Sequence, residues 1–309
     1  MNELTRLLFF IFLFKLNSGF CQNRTFFKNI VEYLSSDELS GRQIGTKGIL
    51  ISEKYIVEEY KKIGVKPFDS FNNSYVQEFT ISDSIPVYKG IRCENIIGII
   101  DNKADSALVF CAHYDHIGND PSLSKEVLGS QKKLIHNGAD DNASGVAMVL
   151  ALAKYLSGNN KRVEYNYIFV NCSAHEIGLF GSDFFYNSSF FKELKVKAFI
   201  NIDMIGRLNA ETKCLKIGGL ENNGIIKNFF IEKNLVSNEL NFLFNDEQLL
   251  MSDATIFFEN KIPTYSFTTG INDDYHRSTD DADKIDYKGM KSILLLLENF
   301  IVIISKKSD

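Results

Sequence analysis

The apolar run Leu108-Val109-Phe110-Cys111 is followed closely by the polar triplet His113-Tyr114-Asp115. A short, continuous apolar run is typical of a strand that is buried on both faces of a sheet. Downstream of it, hydrophobic periodicity predicts helices at 144–156, 182–194, 223–233 and 287–304, and strands at 165–171, 196–202, 214–217 and 264–267. Strands that alternate with helices of about 10 to 15 residues predict a mostly parallel, mixed sheet with helices on both faces. The expected fold is therefore a three-layer α/β/α sandwich.

The segment upstream of this run extends the same pattern. It predicts a short helix over 25–34, a longer helix that ends at Gly64, and strands over 74–81 and 93–100. No internal repeat or Pro/Ser-rich linker divides the chain. We expect one domain that covers residues 22–309.

Composition and charge exclude several classes of protein. The 309 residues are 45% hydrophobic and 24% charged, with only 4 Pro, which excludes a disordered chain. The net charge is −5 and no run of Lys or Arg indicates a nucleic-acid partner. The five cysteines lack CxxC spacing, so a zinc ribbon is not indicated. Cys111 and Cys172 lie at the ends of apolar strands, where we interpret them as small buried side chains without a disulfide.

The first 21 residues have the pattern of a signal peptide. Arg6 precedes the apolar run 7–14, and a polar, small-residue stretch leads to a cleavage site after Cys21. Eight apolar residues are fewer than the roughly 20 that a membrane-spanning helix needs, which disfavours an uncleaved anchor. A lipid-anchored Cys21 is the other alternative. We expect export to the periplasm or the medium, and no membrane span in the mature chain.

Polar residues that suit chemistry follow the predicted strands at their carboxyl ends, where ligands bind in an open α/β sheet. They are His113 and Asp115 after the first strand, Asp141 before the 144–156 helix, His175 and Glu176, Asp203, and Tyr275 with His276. Imidazole and carboxylate together are typical zinc ligands. Asp115 is expected to orient His113 through its carboxylate. The competing interpretation is a salt-bridge network, for which these motifs supply only Arg207 and Arg277.

These segments resemble the secreted di-zinc aminopeptidases, which are related to glutamate carboxypeptidase, the glutaminyl cyclases and the transferrin receptor. The matching motifs are His113-Tyr114-Asp115, Gly138-Ala139-Asp140-Asp141-Asn142-Ala143-Ser144-Gly145, Glu176-Ile177-Gly178-Leu179-Phe180-Gly181-Ser182, Asn201-Ile202-Asp203-Met204-Ile205-Gly206-Arg207 and Tyr275-His276-Arg277-Ser278-Thr279-Asp280. They occur in the family's order and span most of the chain. Softer matches lie upstream, among them Leu39-Ser40-Gly41-Arg42.

The resemblance implies two zinc ions that are bridged by Asp141. One ion would also be held by His113 and Asp203, and the other by Glu176 and His276. Tyr275 would correspond to a residue that polarises the scissile carbonyl in some relatives. The implied activity is zinc-dependent hydrolysis at peptide or protein N-termini. The glutaminyl cyclases keep one zinc and are a poorer guide to a chain that has all five ligands.

His175 departs from the family pattern, in which a glutamate serves as the general base at this position. Imidazole can also serve as a base, so His175 remains the candidate. The replacement predicts slow peptide hydrolysis, which His175→Glu should accelerate. It also leaves open a second function, namely a metal-loaded binding or scaffold protein without turnover.

Overall fold

The computed structural model describes residues 24–67, 73–82, 85–126, 134–158, 165–220, 224–237 and 240–305. The predicted signal peptide lies outside these ranges. Within them, no helix combines the length and apolarity needed to cross a membrane.

The described chain alternates helices and strands, as the sequence predicts. The helices are α1 (24–34), α2 (Lys47–Ile63), α3 (Gly145–Ser157), α4 (Phe180–Asn187), α5 (Ser189–Glu193), α6 (Gly224–Ser237), α7 (Thr255–Glu259) and α8 (Tyr287–Ser305). The strands are β1 (Lys66–Pro67), β2 (Val76–Thr80), β3 (Arg92–Ile100), β4 (Ala107–His113), β5 (Asn166–Cys172), β6 (Val196–Ile202), β7 (Cys214–Gly218), β8 (Asn241–Phe244) and β9 (Thr264–Thr268). Gly64 ends α2 in the left-handed conformation at φ +85°, which glycine adopts without a steric cost.

One mixed sheet contains all nine of these strands, in the order β1-β3-β5-β4-β6-β9-β7-β8, with β2 also paired to β3. The four central strands β5, β4, β6 and β9 are parallel to one another. β3 and β7 flank them in the antiparallel direction. The predicted mixed, mostly parallel sheet is confirmed. Because the four central strands run in one direction, their carboxyl ends meet at one edge.

Helices cover both faces of the sheet, and alternate residues of β4 face opposite layers. Leu108 and Phe110 belong to a core that includes residues of α1, α2, α3 and α8. Val109 and Cys111 belong to a smaller core with Phe185, Phe191 and Phe257 of α4, α5 and α7. This is the expected three-layer sandwich. The four cysteines that the structure describes are free, and the sulfur atoms of Cys111 and Cys172 lie 3.4 Å apart.

The predicted helix over 182–194 is two helices. Ser188 ends α4 in an extended conformation, and its hydroxyl accepts the Phe191 N–H at the start of α5. Serine favours such a cap over a helix interior, since its side chain competes for backbone hydrogen bonds. The short edge strand β8 and the five-residue α7 were not predicted either.

Candidate metal centre and active site

The structure brings all five predicted ligands to the edge where the central parallel strands end. His113 is the last residue of β4, and Asp203 directly follows β6. Glu176 lies in the turn after β5, and His276 lies in the loop after β9. Asp141 is in the turn that leads into α3. The topology itself therefore gathers residues that are far apart in the sequence.

Asp141 faces two separate groups with its two oxygens. Its Oδ1 lies 3.3 Å from His113 Nε2, which is also 3.4 Å from Asp203 Oδ1. Its Oδ2 lies 3.4 Å from His276 Nε2, which is also 3.0 Å from Glu176 Oε2. These contacts pair His113 with Asp203 and His276 with Glu176, with Asp141 between the pairs, and the ligand atoms of His113, Asp141 and Glu176 also lie within 4.8 Å of one another.

The donor set fits zinc on geometry as well as on chemistry. Bonds of 2.0–2.2 Å at tetrahedral angles place neighbouring ligand atoms about 3.3 Å apart. Three of the distances match this value and exceed those of good N–H···O hydrogen bonds. Moreover, three buried atoms have no hydrogen-bond partner in the part of the chain that the structure describes, namely His113 Nε2, His276 Nε2 and Asp203 Oδ1. Buried polar atoms of this kind normally have a partner, which a metal ion would supply.

The histidines and carboxylates shift one another's protonation in the absence of metal. Burial opposes ionisation of Asp141, but the surrounding histidines outweigh it and hold its pKa well below the usual range. Burial lowers the pKa of His276, yet Asp141 and Glu176 raise it to about 10. Without metal, the cluster is therefore neutralised by protons on its imidazoles, and metal binding would release them.

Asp115 contacts His113 mainly through its backbone oxygen, whereas the sequence predicts a contact through its carboxylate. His113 Nδ1 lies 3.1 Å from the backbone oxygen of Asp115 and 3.9 Å from its carboxylate. The carboxylate instead accepts the backbone N–H groups of His175 and Glu176, at 3.1 and 3.2 Å. The carboxylate of Asp115 thus fixes the turn that carries Glu176.

His175 lies against the first ligand group and is held from behind by Asp253. Its ring stacks on that of His113, with centroids 3.7 Å apart. Its Nδ1 lies 3.1 Å from Asp253 Oδ2, and Asp253 is buried. Burial and His113 lower the pKa of His175, but Asp253 raises it, to about 9 overall. Sequence reasoning missed Asp253, which precedes a short helix and has the pattern of an ordinary turn residue.

The residue before His175 has an unusual backbone conformation. Ala174 has φ +58°, in the left-handed region that favours glycine. The sharp turn from β5 into the site imposes this conformation on Ala174.

His116 is a second residue that sequence reasoning missed. It is buried, and its Nδ1 lies 2.7 Å from Glu176 Oε1. The available signal was its place in His113-Tyr114-Asp115-His116, directly after the matched triplet.

Two charged residues hold the backbone around Asp141. Asp280 accepts the N–H groups of Asp140 and Asp141, each at 3.0 Å at the closest. The buried Arg42 donates to backbone carbonyls only, including those of Gly138 and Asp141 at 2.9 and 3.4 Å. Its positive charge interacts electrostatically with the carboxylates of Asp141 and Glu176, although its hydrogen bonds within the described residues go to backbone oxygens. Both residues belong to motifs that resemble the family.

A cavity of about 270 Å³ opens beside the cluster. Asp141, Asp203, His175 and Tyr275 line its inner side. Tyr275 lies with its ring 4.0 Å from that of His276, and burial together with the carboxylates raises its pKa above the usual value. Met204, Met251, Ile271 and Glu247 contribute to the remaining wall.

Comparison with known proteins places this geometry in a family. The sequence model of peptidase family M28 matches residues 95–301. The chain is 28% identical over 144 residues to the alkaline phosphatase isozyme conversion protein of Escherichia coli (strain K12), a match that covers 46% of this chain and 40% of that protein. The chain thus spans less than half the length of this curated relative.

Solved structures share the fold. A glutaminyl cyclase of Porphyromonas gingivalis superposes with a TM-score of 0.71 at 17% identity, covering 90% of this chain and 97% of the other. A leucine aminopeptidase precursor of Bacteroides thetaiotaomicron gives a TM-score of 0.70 at 18% identity, covering 92% of this chain and 96% of the other. At these identities the likeness establishes the fold alone. The reaction has to be inferred from the residues of the site.

Proposed function

The chain belongs to peptidase family M28, and we propose on that basis that it is an exported di-zinc metallopeptidase that removes residues from peptide N-termini. The observation that carries this proposal is the position of Asp141, whose two oxygens face two different ligand groups 3.3 and 3.4 Å away. A carboxylate with one oxygen toward each ligand group could bind one metal ion through each oxygen and so hold two ions side by side. The mature chain would be one domain, residues 22–309, after removal of residues 1–21.

Each metal would have a ligand set of its own besides Asp141. His113 and Asp203 would hold one zinc, and Glu176 and His276 the other. When bound, zinc polarises a carbonyl oxygen and lowers the pKa of a coordinated water. The orphaned nitrogen atoms of His113 and His276 support this assignment, since both are buried and point at carboxylates.

His175 would transfer the proton between the attacking water and the leaving amine. With Nδ1 held by Asp253, its Nε2 is the nitrogen free to act at the cavity that His175 lines. Asp253 compensates the positive charge that His175 acquires when it takes the proton. Asp115 fixes the backbone of His175 and so its distance from the substrate. Proton transfer by a positioned group typically contributes 10²- to 10⁴-fold to the rate.

Tyr275 would donate its hydroxyl proton in a hydrogen bond to the scissile carbonyl. It lines the cavity beside His276 and stays protonated at neutral pH. The cavity would receive the side chain of the first substrate residue. Its apolar contacts from Met204, Met251 and Ile271 favour an apolar side chain over an acidic one, which Glu247 would repel.

The second candidate function is a metal-loaded binding protein without turnover, which the His175 replacement favours. A panel of aminoacyl chromogenic amides, assayed together with zinc content, separates the two. We expect hydrolysis of free-amine substrates, fastest for apolar residues, and none of the same substrates after N-acetylation. Bound zinc without turnover on any substrate would support the binding protein. A peptide with N-terminal glutamine adds a further control, since ammonia release without chain cleavage would contradict a peptidase.

A further inference from the structure

His116 occupies a buried place against the second ligand group, with no role in the function proposed above. It is 1% exposed, and its Nδ1 lies 2.7 Å from Glu176 Oε1 and 3.7 Å from Asp141 Oδ2. The other oxygen of Glu176 faces His276 Nε2 at 3.0 Å. The two oxygens of Glu176 therefore have different partners.

The short distance distinguishes a hydrogen bond from shared coordination of a metal. Two ligand atoms on one tetrahedral zinc lie about 3.3 Å apart, whereas 2.7 Å is the length of a strong, charge-assisted hydrogen bond. His116 Nδ1 is thus a donor to Glu176. Its Nε2 is buried and has no hydrogen-bond partner among the described residues, so the hydrogen bond through Nδ1 is the polar contact that orients the ring.

The surrounding chain is shaped to hold this ring. Gly138, at φ +60°, packs on it so closely that a Cβ there would come within 2.5 Å of the imidazole carbon Cδ2. The ring of His276 meets it edge-on, with centroids 5.6 Å apart. The ring is therefore confined between the loop that carries Asp141 and the second ligand histidine.

We propose that His116 is a positioning residue for the second metal: its Nδ1–H occupies Glu176 Oε1, so that Oε2 alone faces the ion beside His276. This inference rests on the proposed function, because it requires a metal at that place. Hydrogen bonds to ligands fix their orientation, and their loss typically costs 10- to 100-fold in metal affinity.

The test compares His116→Asn with His116→Ala by zinc titration against a competing chelator. An asparagine amide can reach the place of Nδ1 and donate to Glu176, whereas alanine cannot. We expect the second zinc to bind about 10- to 100-fold more weakly in His116→Ala and within about threefold of wild type in His116→Asn. His136→Asn is the matched control, since that buried histidine contacts Gly118 and Ser124 instead of a ligand.

Each alternative result is distinguishable. Equal loss in both variants would make His116 a ligand, and retention in both would make it a packing residue; either result overturns the proposal while wild type still binds two zinc ions. If wild type binds none, the proposed function fails first. His116→Leu fills the buried space if His116→Ala does not fold, and it should show the same loss of the second zinc.

Discussion

His175 and the buried Asp253 form an imidazole–carboxylate pair at the wall of the cavity. From the sequence alone, His175 is an imidazole without a partner beside the two implied zinc ions. Protonation of its ring would be disfavoured there by like-charge repulsion. Asp253 changes that balance, because it stabilises the protonated ring. The sequence predicts that His175→Glu accelerates peptide hydrolysis. In the structure this substitution would put a second carboxylate against Asp253, and two adjacent carboxylates share a proton. His175→Glu is therefore not a clean test of the base. The pair is therefore best tested from the Asp253 side.

Asp253→Asn keeps the shape and an acceptor oxygen for Nδ1 but removes the charge. We expect kcat for a peptide to fall by about 10-fold or more, since proton delivery to the leaving amine loses its charge compensation. An activated ester, whose leaving group needs no proton, should lose less, with zinc content unchanged. Equal losses on both substrates would assign Asp253 a structural role only.

At the scale of secondary-structure elements, the apolar runs of β4, β5, β6 and β9 were enough to predict the sheet and its chemical edge. Buried central strands are recognisable as continuous apolar runs. Polar residues directly after such a run lie at the edge of the sheet where ligands bind. β8 was not predicted because it is a short edge strand whose side chains are largely exposed or half-buried. Asp253 was missed for a related reason: it approaches the site from a loop before α7, and no strand end marks it. His116 was adjacent to a matched motif, but only the fold shows that it faces Glu176.

A buried titratable side chain lies where α2 packs against β3, outside the candidate metal site. Glu53 of α2 is buried near Glu94, and its Oε1 lies 3.0 Å from the Tyr114 hydroxyl. Burial, followed by the charge of Glu94, raises its pKa to about 8, against the partial opposition of Arg92.

This raised pKa predicts a stability that falls with increasing pH. The unfolded state loses the Glu53 proton near pH 4.5, whereas the folded state holds it until about pH 8. The contribution is therefore complete below pH 4.5 and lost as the pH rises through 8, on the order of 5 kcal/mol. Glu53→Gln should flatten the pH dependence of urea unfolding between pH 5 and 8, measured in chelator for both proteins. Parallel curves for the two proteins would show that Glu53 does not carry the effect.

For the whole molecule, the proposed metal pair would join segments from across the chain into one site. Without metal, Asp141, Glu176 and Asp203 converge on one region, where the surrounding histidines and the buried Arg42 offset their negative charge. The buried Arg42 supports the same region from below through backbone carbonyls. Folding and metal binding should consequently be linked.

Removal of the metal should lower the melting temperature. Metal at about 1,000 times its Kd contributes about 4 kcal/mol, which corresponds to a decrease of roughly 6 to 7 °C for a domain of this size. The measurement is a thermal melt with and without chelator. Asp141→Ala is the control and should melt at the same temperature in both. A wild-type curve that chelator leaves in place would argue against a buried metal pair.

The most direct test of the metal pair is the zinc content of ligand variants, measured by atomic emission on purified, dialysed protein. Wild type should hold about two zinc ions per chain, as its two ligand groups require. His113→Ala and His276→Ala should each lose one, and Asp141→Ala should lose both, since Asp141 is common to the two groups. Asp101 lies at the surface in an ion pair with Lys103. Asp101→Ala is therefore the control and should keep both zinc ions. Retention of two zinc ions by Asp141→Ala would contradict the bridging role of Asp141 and the di-zinc centre built on it.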